Sequence, residues 1–202
     1  MALPQPGDLA DPVLRATYDA VMDLGVRRAT IAEIARRAGV SRMTIYRRYD
    51  DFSRLLAALL TEELGRVVTA VEAALTGLPD ARSRLVATAD LVTRAVADHP
   101  MMTRVLALDP EELMPLVTDR LGSTQRLVRE HLVTGIRAGQ AGEGGDGSIR
   151  EGDTDLLALT VLVTAQSFVF SSRVVRQEDP RAYDELRLLV DRYLAPATWG
   201  RP

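Results

Sequence analysis

Apolar residues recur at helical spacing along nearly the whole chain, and no stretch sustains the period-2 alternation of a half-buried strand. A first helix opens at Asp11-Pro12, with the aspartate as N-cap and the proline at the first helical position. Its apolar face holds Leu14, Thr17, Tyr18, Val21 and Leu24, and Gly25 ends it. Thr30-Ile31-Ala32-Glu33 has the form of a capping box, in which the threonine hydroxyl and the glutamate carboxylate each satisfy a free backbone N–H. The helix it starts carries Ile31, Ile34, Ala35 and Ala38 on one face and stops at Gly39. Ser41 caps a short third helix reaching about Arg48, and a fourth runs from Asp50-Asp51 to about Thr76 with a stripe from Leu55 to Leu75. Five more follow: Asp80–Asp98, ended by His99-Pro100; Met101–Leu108; Glu111 to about Ala138; Asp153–Val175; and Asp179–Leu194. Between them Gly139 to Gly152 holds six glycines and reads as a mobile loop. It has no Gly-Lys-Ser/Thr and no preceding strand, so it is not a phosphate cradle. Thr198 to Pro202 reads as a tail.

Composition changes this picture little. The chain has 202 residues, 47% hydrophobic and 26% charged, with a net charge of -3, which excludes a disordered or collagen-like chain. It has no cysteine, hence no disulfide, thiolate metal site or thiol nucleophile, and two histidines alone do not make a dedicated metal site. Leu156 to Phe170 is the longest apolar run, but Thr160, Thr164, Gln166 and Ser167 interrupt it. A membrane span needs about 20 apolar residues, so a buried helix is expected there. Met1 to Asp8 has neither a basic residue nor an apolar run, so no secretory signal is read and a cytoplasmic location is expected. Every basic residue is arginine, which offers anions a planar fork rather than a point charge.

The distribution of charge matters more. Between Val26 and Tyr49 stand Arg27, Arg28, Arg36, Arg37, Arg42, Arg47 and Arg48 against Glu33 alone. A basic stretch in an acidic chain points to one anion-binding face on a soluble body. The same stretch, Thr30 to Tyr49, has the chemistry of a helix–turn–helix. Ala35 is small where two helices cross closely, Gly39 permits the positive φ of a tight turn, and Val40 and Ile45 plug the core beneath. The second helix then turns Arg42, Met43, Tyr46 and Arg47 outward, suited to base edges in a major groove.

At these residues the chain resembles the DNA-binding domain of the TetR family of transcriptional regulators. Over roughly the first 60 residues the matching elements are Gly25, Thr30, Ile34-Ala35, Ala38-Gly39-Val40-Ser41, Thr44-Ile45-Tyr46 and the aromatic Tyr49. Gly147 to Asp153 resembles the segment that often precedes the penultimate helix in that family. The resemblance implies an all-α protein of about nine helices. Residues 1–58 would form a three-helix DNA-binding domain with the helix–turn–helix, and residues 59–202 a ligand-binding and dimerisation domain. It further implies a homodimer joined through the last two helices, a small-molecule pocket among the central ones, and DNA-reading heads whose spacing the ligand changes. Carried over by position, Thr30 caps its helix and touches a phosphate, Ser41 caps the recognition helix, and Arg42 reads a base edge or a phosphate. Thr44 and Tyr46 hold phosphates, Arg47 reads a base, and Arg28 joins the DNA-facing set. The chain departs from the family pattern in three places. Met43 stands where a small residue is usual, Arg48 where a second aromatic is frequent, and Phe52 where a phosphate-contacting lysine is usual. Arg48 is expected to supply the charge lost at Phe52, and Met43 to pack on a thymine methyl.

The remaining chain says less. Met101, Met102, Leu127, His131, Gln166 and Phe168 are the expected pocket residues, each with ordinary core as the alternative. Methionine adapts to irregular ligands, and buried polar groups such as Gln166, Thr160 and Thr164 need partners in a cavity or a seam. His99 is expected as a cap or surface residue, and the acid pairs Glu62-Glu63 and Glu111-Glu112 as solvated helix charges. The helix over Asp153–Val175 is apolar nearly all round and must be covered on every side, which calls for a second copy related by C2 symmetry. Leu156, Leu159, Val163 and Phe170, with Leu186, Leu189 and Tyr193, are its expected seam. The resulting expectation is a ligand-responsive regulator, a repressor that binds a palindromic operator as a homodimer and is released by a small hydrophobic effector. A binding protein of the same fold without operator control is the alternative. No Ser/His/Asp order, metal cluster or nucleotide motif supports an enzyme, and no cofactor, metal or membrane is expected.

Overall fold

The computed structural model describes residues 3–114, 121–142 and 144–196, which form ten α-helices and no β-strand. In chain order they are α1 (Pro12–Leu24), α2 (Ile31–Ala38), α3 (Arg42–Tyr46), α4 (Phe52–Ala74) and α5 (Ala81–Ala97). α6 (Pro100–Leu108), α7 (Ser123–Gly139), α8 (Thr154–Phe170), α9 (Ser172–Glu178) and α10 (Ala182–Leu194) follow. The chain divides into two compact units. The first comprises the described residues up to Val67 with Asp98–Arg126, and the second Val68–Ala97 with the described residues from Leu127 on.

Helix starts follow the capping chemistry of the sequence. Asp11 accepts the N–H groups of Val13 and Leu14 at 2.8 and 3.4 Å, and Asp153 those of Asp155 and Leu156 at 2.9 and 3.0 Å. The first unit is built on Val13, Val21, Ile34, Ile45, Leu55, Leu59 and Met101, all buried. In the second, Val71, Leu85, Ile136, Leu157, Val161, Leu186 and Val190 are buried in the same way.

Three expectations fail, each for a local reason. No single helix spans Glu111 to Ala138: Pro110–Glu112 is a 3₁₀ turn and α7 begins only at Ser123. Leu116 and Val117, placed on that helix, lie outside the described residues. Gly122 serves as the new cap, its N–H donating to Gln125 Oε1 at 2.6 Å, so the glutamine reaches back as in a capping box. The helix over Asp153–Val175 is broken at Ser171, where α8 and α9 diverge by 67°. Ser171 has left helical geometry (ψ 11°) inside a serine pair, a recurrent site of kinks, and this break turns one expected helix into two among the described residues.

The third concerns the glycine-rich loop, whose described residues are held by hydrogen bonds at several points. Asp146 accepts the N–H of Ala81 at 2.7 Å and Ser148 that of Arg82 at 3.1 Å, capping α5 from outside. Gln140 donates to the carbonyls of Gly152 and Arg150 at 2.9 and 3.3 Å, and Arg150 Nε donates to Tyr193 O at 2.7 Å. Ile149 is buried against Gly139, and Gly145 passes so close to the Gln140 carbonyl that a Cβ there would stand 1.7 Å from its oxygen.

Candidate nucleic-acid interface

The interface is assembled from caps and one small core. Thr30 Oγ1 accepts the Glu33 N–H at 3.2 Å and starts α2. The other half of the expected capping box is not made. The Glu33 carboxylate turns instead to Arg36, at 2.9 and 2.6 Å, and to Arg37, at 2.7 Å. Those bonds, Arg36 first and Arg37 second, hold the Glu33 carboxyl down to about 2. α2 ends at Gly39, whose φ of 68° is the left-handed conformation expected of it. The Val40 N–H returns to Ala35 O at 3.0 Å. Ser41 Oγ then accepts the Thr44 N–H at 3.1 Å and starts α3.

α3 has five residues, of which only Ile45 is buried. Its outer side presents Arg42 and Met43, the latter 74% exposed, and Tyr46, with exposed Arg47 following; Thr44 is half-buried. Arg28, Thr30 and Ser41 are exposed as well.

The arginines sort into two groups. Arg36 and Arg37 are held by Glu33, and Arg37 also reaches Asp23 at 2.6 Å. Arg27 pairs with Glu111 at 3.3 Å. Arg48 lays its guanidinium on the Asp11 carboxylate, through Nη1–Oδ1 at 3.4 Å and a second bond from Nη2 to Oδ2. Arg48, expected to supply the charge missing at Phe52, is thus ion-paired within the chain while its side chain stays 42% exposed. Arg28, Arg42 and Arg47 form no ion pair among the described residues. Among the described residues, four of the seven arginines therefore carry an ion pair within the chain, and three do not.

The turn behind the reader is gripped from α6, which sequence patterning did not reveal. Asp109, 6% exposed, accepts the Val26 N–H at 2.9 Å. Arg104 donates to the α1 carbonyls of Val21 and Asp23 at 3.4 and 3.2 Å.

The expected pocket residues fall in both units. Met101 and Met102 are buried on α6 in the first, while Leu127, His131, Gln166 and Phe168 are half-buried in the second. His131 bonds to the Leu127 carbonyl at 2.9 Å through Nδ1, with Nε2 lying 3.8 Å from Glu72. Phe168 packs on Tyr183 at 6.0 Å between ring centroids. Thr160, Thr164 and Ser167 donate to the carbonyls of Leu156, Thr160 and Thr164, so these hydroxyls need neither cavity nor seam.

Of the expected seam, Leu156, Leu159, Val163 and Leu189 are exposed on the single chain, and Phe170 and Tyr193 half-buried. Leu186 is 1% exposed and belongs to the interior instead, because α10 turns that face onto its own unit. Val174 and Leu188, unforeseen, add to the exposed apolar set. No single helix among the described residues is long and apolar enough to cross a membrane, and no group of three or more acidic or histidine side chains there could hold a metal ion.

The model of a family described as bacterial regulatory proteins, tetR family, matches residues 13–59, from α1 into α4. An uncharacterized HTH-type transcriptional regulator of Mycobacterium tuberculosis is 37% identical over 168 residues, 83% of this chain and 84% of that one. Two solved structures share the fold. The TetR family repressor AlkX of a Dietzia strain, implicated in biodegradation of n-alkanes, superposes with a TM-score of 0.66 at 17% identity, covering 90% of this chain and 92% of that one. FadR of Bacillus subtilis, in complex with stearoyl-CoA, does so with a TM-score of 0.55 at 18% identity, covering 91% and 98%.

Proposed function

Because the chain belongs to the TetR family of bacterial regulatory proteins, and is a transcriptional regulator rather than an enzyme, we propose that it is a ligand-responsive repressor. It binds a palindromic operator as a homodimer in the cytoplasm and lets go when a small hydrophobic effector enters the helical domain. Residues 1–58 serve as the DNA-reading part, and residues 59–202 bind the effector and pair the two copies. The observation that carries this reading is the capped α3, with unpaired Arg42 and Arg47 and exposed Met43 and Tyr46 on its outer side. Arginine paired to guanine is the commonest specific contact in a major groove, and Met43 suits a thymine methyl. In this reading Arg28, Thr30, Ser41, Thr44 and Tyr46 face the DNA backbone. The exposed stripe of Leu156, Leu159 and Val163 with Leu189 supports pairing of two copies. FadR, a transcriptional regulator of this fold, is in complex with stearoyl-CoA, which supports a ligand with a long apolar chain here.

Selection of duplexes from a random pool by the purified protein tests the proposal. A two-fold symmetric sequence is expected, with log affinity falling linearly against log salt by about 0.9 per phosphate held. Arg47→Ala is expected to relax preference at one position and cost about 1–3 kcal/mol. Binding to no duplex, or equal binding to all of them, would overturn the proposal.

A further inference from the structure

We infer that Arg48 is a positioning residue: locked to Asp11, it fixes the angle at which α3 enters the groove and touches no phosphate itself. The inference rests on the operator-binding reading. α3 is five residues long with one buried side chain, Ile45. Ser41 and Thr44 fix its start. A short helix seated on one buried side chain has few contacts of its own to fix its tilt, so it needs a second hold against rocking. Arg48, two residues beyond its last turn, provides that hold. Its guanidinium makes two bonds to the carboxylate of Asp11, 37 residues earlier, and two-point pairing of planar groups constrains orientation as well as distance.

The same carboxylate accepts the N–H groups of Val13 and Leu14. One side chain therefore ties the start of α1 to the far end of the reading helix. Tyr49 supports the fork from a third direction, its ring 5.1 Å from the Arg48 Cζ and its hydroxyl accepting from Nη2 at 3.1 Å. With its charge answered by Asp11 and three of its five N–H donors committed, Arg48 has a role distinct from that of the unpaired Arg42 and Arg47.

Two variants separate positioning from contact. Asp11→Asn keeps a good N-cap and removes the charge that holds the fork. Arg48→Gln removes the fork itself. Each is titrated, across a range of salt, against a duplex selected by the wild-type protein from a random pool and against an unselected duplex of equal length. Melting temperature serves as the folding control. The selected-to-unselected affinity ratio is expected to fall about fivefold or more in both variants, the scale of one misread base pair. The salt slope of Arg48→Gln is expected to equal that of the wild type. A slope shallower by about 0.9 makes Arg48 a phosphate contact and overturns the inference, as does an unchanged ratio in Asp11→Asn. Arg48→Lys keeps the charge without the fork and stands in if either variant does not fold: loss of the ratio supports the clamp, and full retention overturns it. A wild-type protein with no salt-dependent binding to any duplex refutes the operator reading instead, a result visible without any variant.

Discussion

Glu63 and His99 are buried against each other in the first unit, with 2.9 Å between Oε2 and Nε2. They are 2% and 6% exposed. The other carboxylate oxygen accepts the Gly7 N–H at 3.1 Å and the Arg66 guanidinium at 3.2 Å, and the Tyr18 ring stands edge-on to His99. One acid thus gathers the N-terminal segment, α4 and the entry to α6.

Loss of that charge should be costly, because three donors would compete for a neutral amide whose own N–H groups need acceptors. Glu63→Gln is expected to destabilise the protein by about 3 kcal/mol. Glu62→Gln, at an exposed position, should cost within about 0.5 kcal/mol. Denaturant midpoints at fixed protein concentration, with unchanged slope, measure both. A cost below about 1 kcal/mol for Glu63→Gln would show that the buried cluster does not hold these segments together.

The pinned loop gives a second prediction. A Cβ at Gly145 would meet the Gln140 carbonyl oxygen at 1.7 Å, and backbone cannot swing aside as a side-chain tip can. Gly142 has nothing within 4 Å of its would-be Cβ. Gly145→Ala should therefore cost about 2 kcal/mol and Gly142→Ala a few tenths. The displaced loop should also release the Ala81 and Arg82 amides, now held by Asp146 and Ser148, to faster hydrogen exchange. Unchanged protection of those amides in Gly145→Ala would mean that the loop is not what caps α5.

These two cases mark the limit of what the chain discloses before folding. Helix type and most starts are local properties, written in Asp11-Pro12, Thr30, Ser41 and Asp153, and the αL glycine at position 39 is equally local. Gln125 behind Gly122 was a local signal too, but the apolar stripe running across it masked the break. Partnerships between distant residues have no local signature. Glu63 looks like its solvated neighbour Glu62 until α6 brings His99 beside it. Arg48 looks like another member of a basic patch until α1 brings Asp11 beneath it. The recognition helix was legible because caps and outward positions define it; its clamp was not, because its two halves lie 37 residues apart.

Glu33 gives the pH dependence. Its carboxyl is held at about 2, below the ordinary 4.5, by Arg36 and then Arg37. A depressed folded-state value means that the stabilisation is fully present above 4.5 and is lost as pH falls through about 2. The melting temperature of the wild type should thus exceed that of Glu33→Gln by a constant amount above pH 4.5, with the gap closing as pH approaches 2. A gap that does not change with pH would show that the two arginines are not anchored by this charge. Arg36, freed in Glu33→Gln, should also steepen the salt dependence of duplex binding at neutral pH, whereas Arg37 stays paired with Asp23.

The exposed face of α8 bears on assembly. Leu157, Ala158, Val161 and Leu162 turn inward, whereas Leu156 and Val163 remain 60% and 51% exposed. Leu189 on α10 is 52% exposed and Val174 on α9 60%. Each such side chain is already about half covered, so completing its burial contributes about half of the ~1.5–3 kcal/mol of a full burial, and several of them on each of two copies can offset the cost of association. A charge at the centre of that face reverses the balance, because an unpaired carboxylate would be enclosed in apolar contacts. Val163→Glu should sediment as a monomer at micromolar concentration with its helix content intact. It should also lose the selected palindrome far more severely than any single half-site, since two linked readers gain about 10²–10⁴ in avidity that one reader lacks. A Val163→Glu protein that still sediments as a dimer would place the seam elsewhere on the chain.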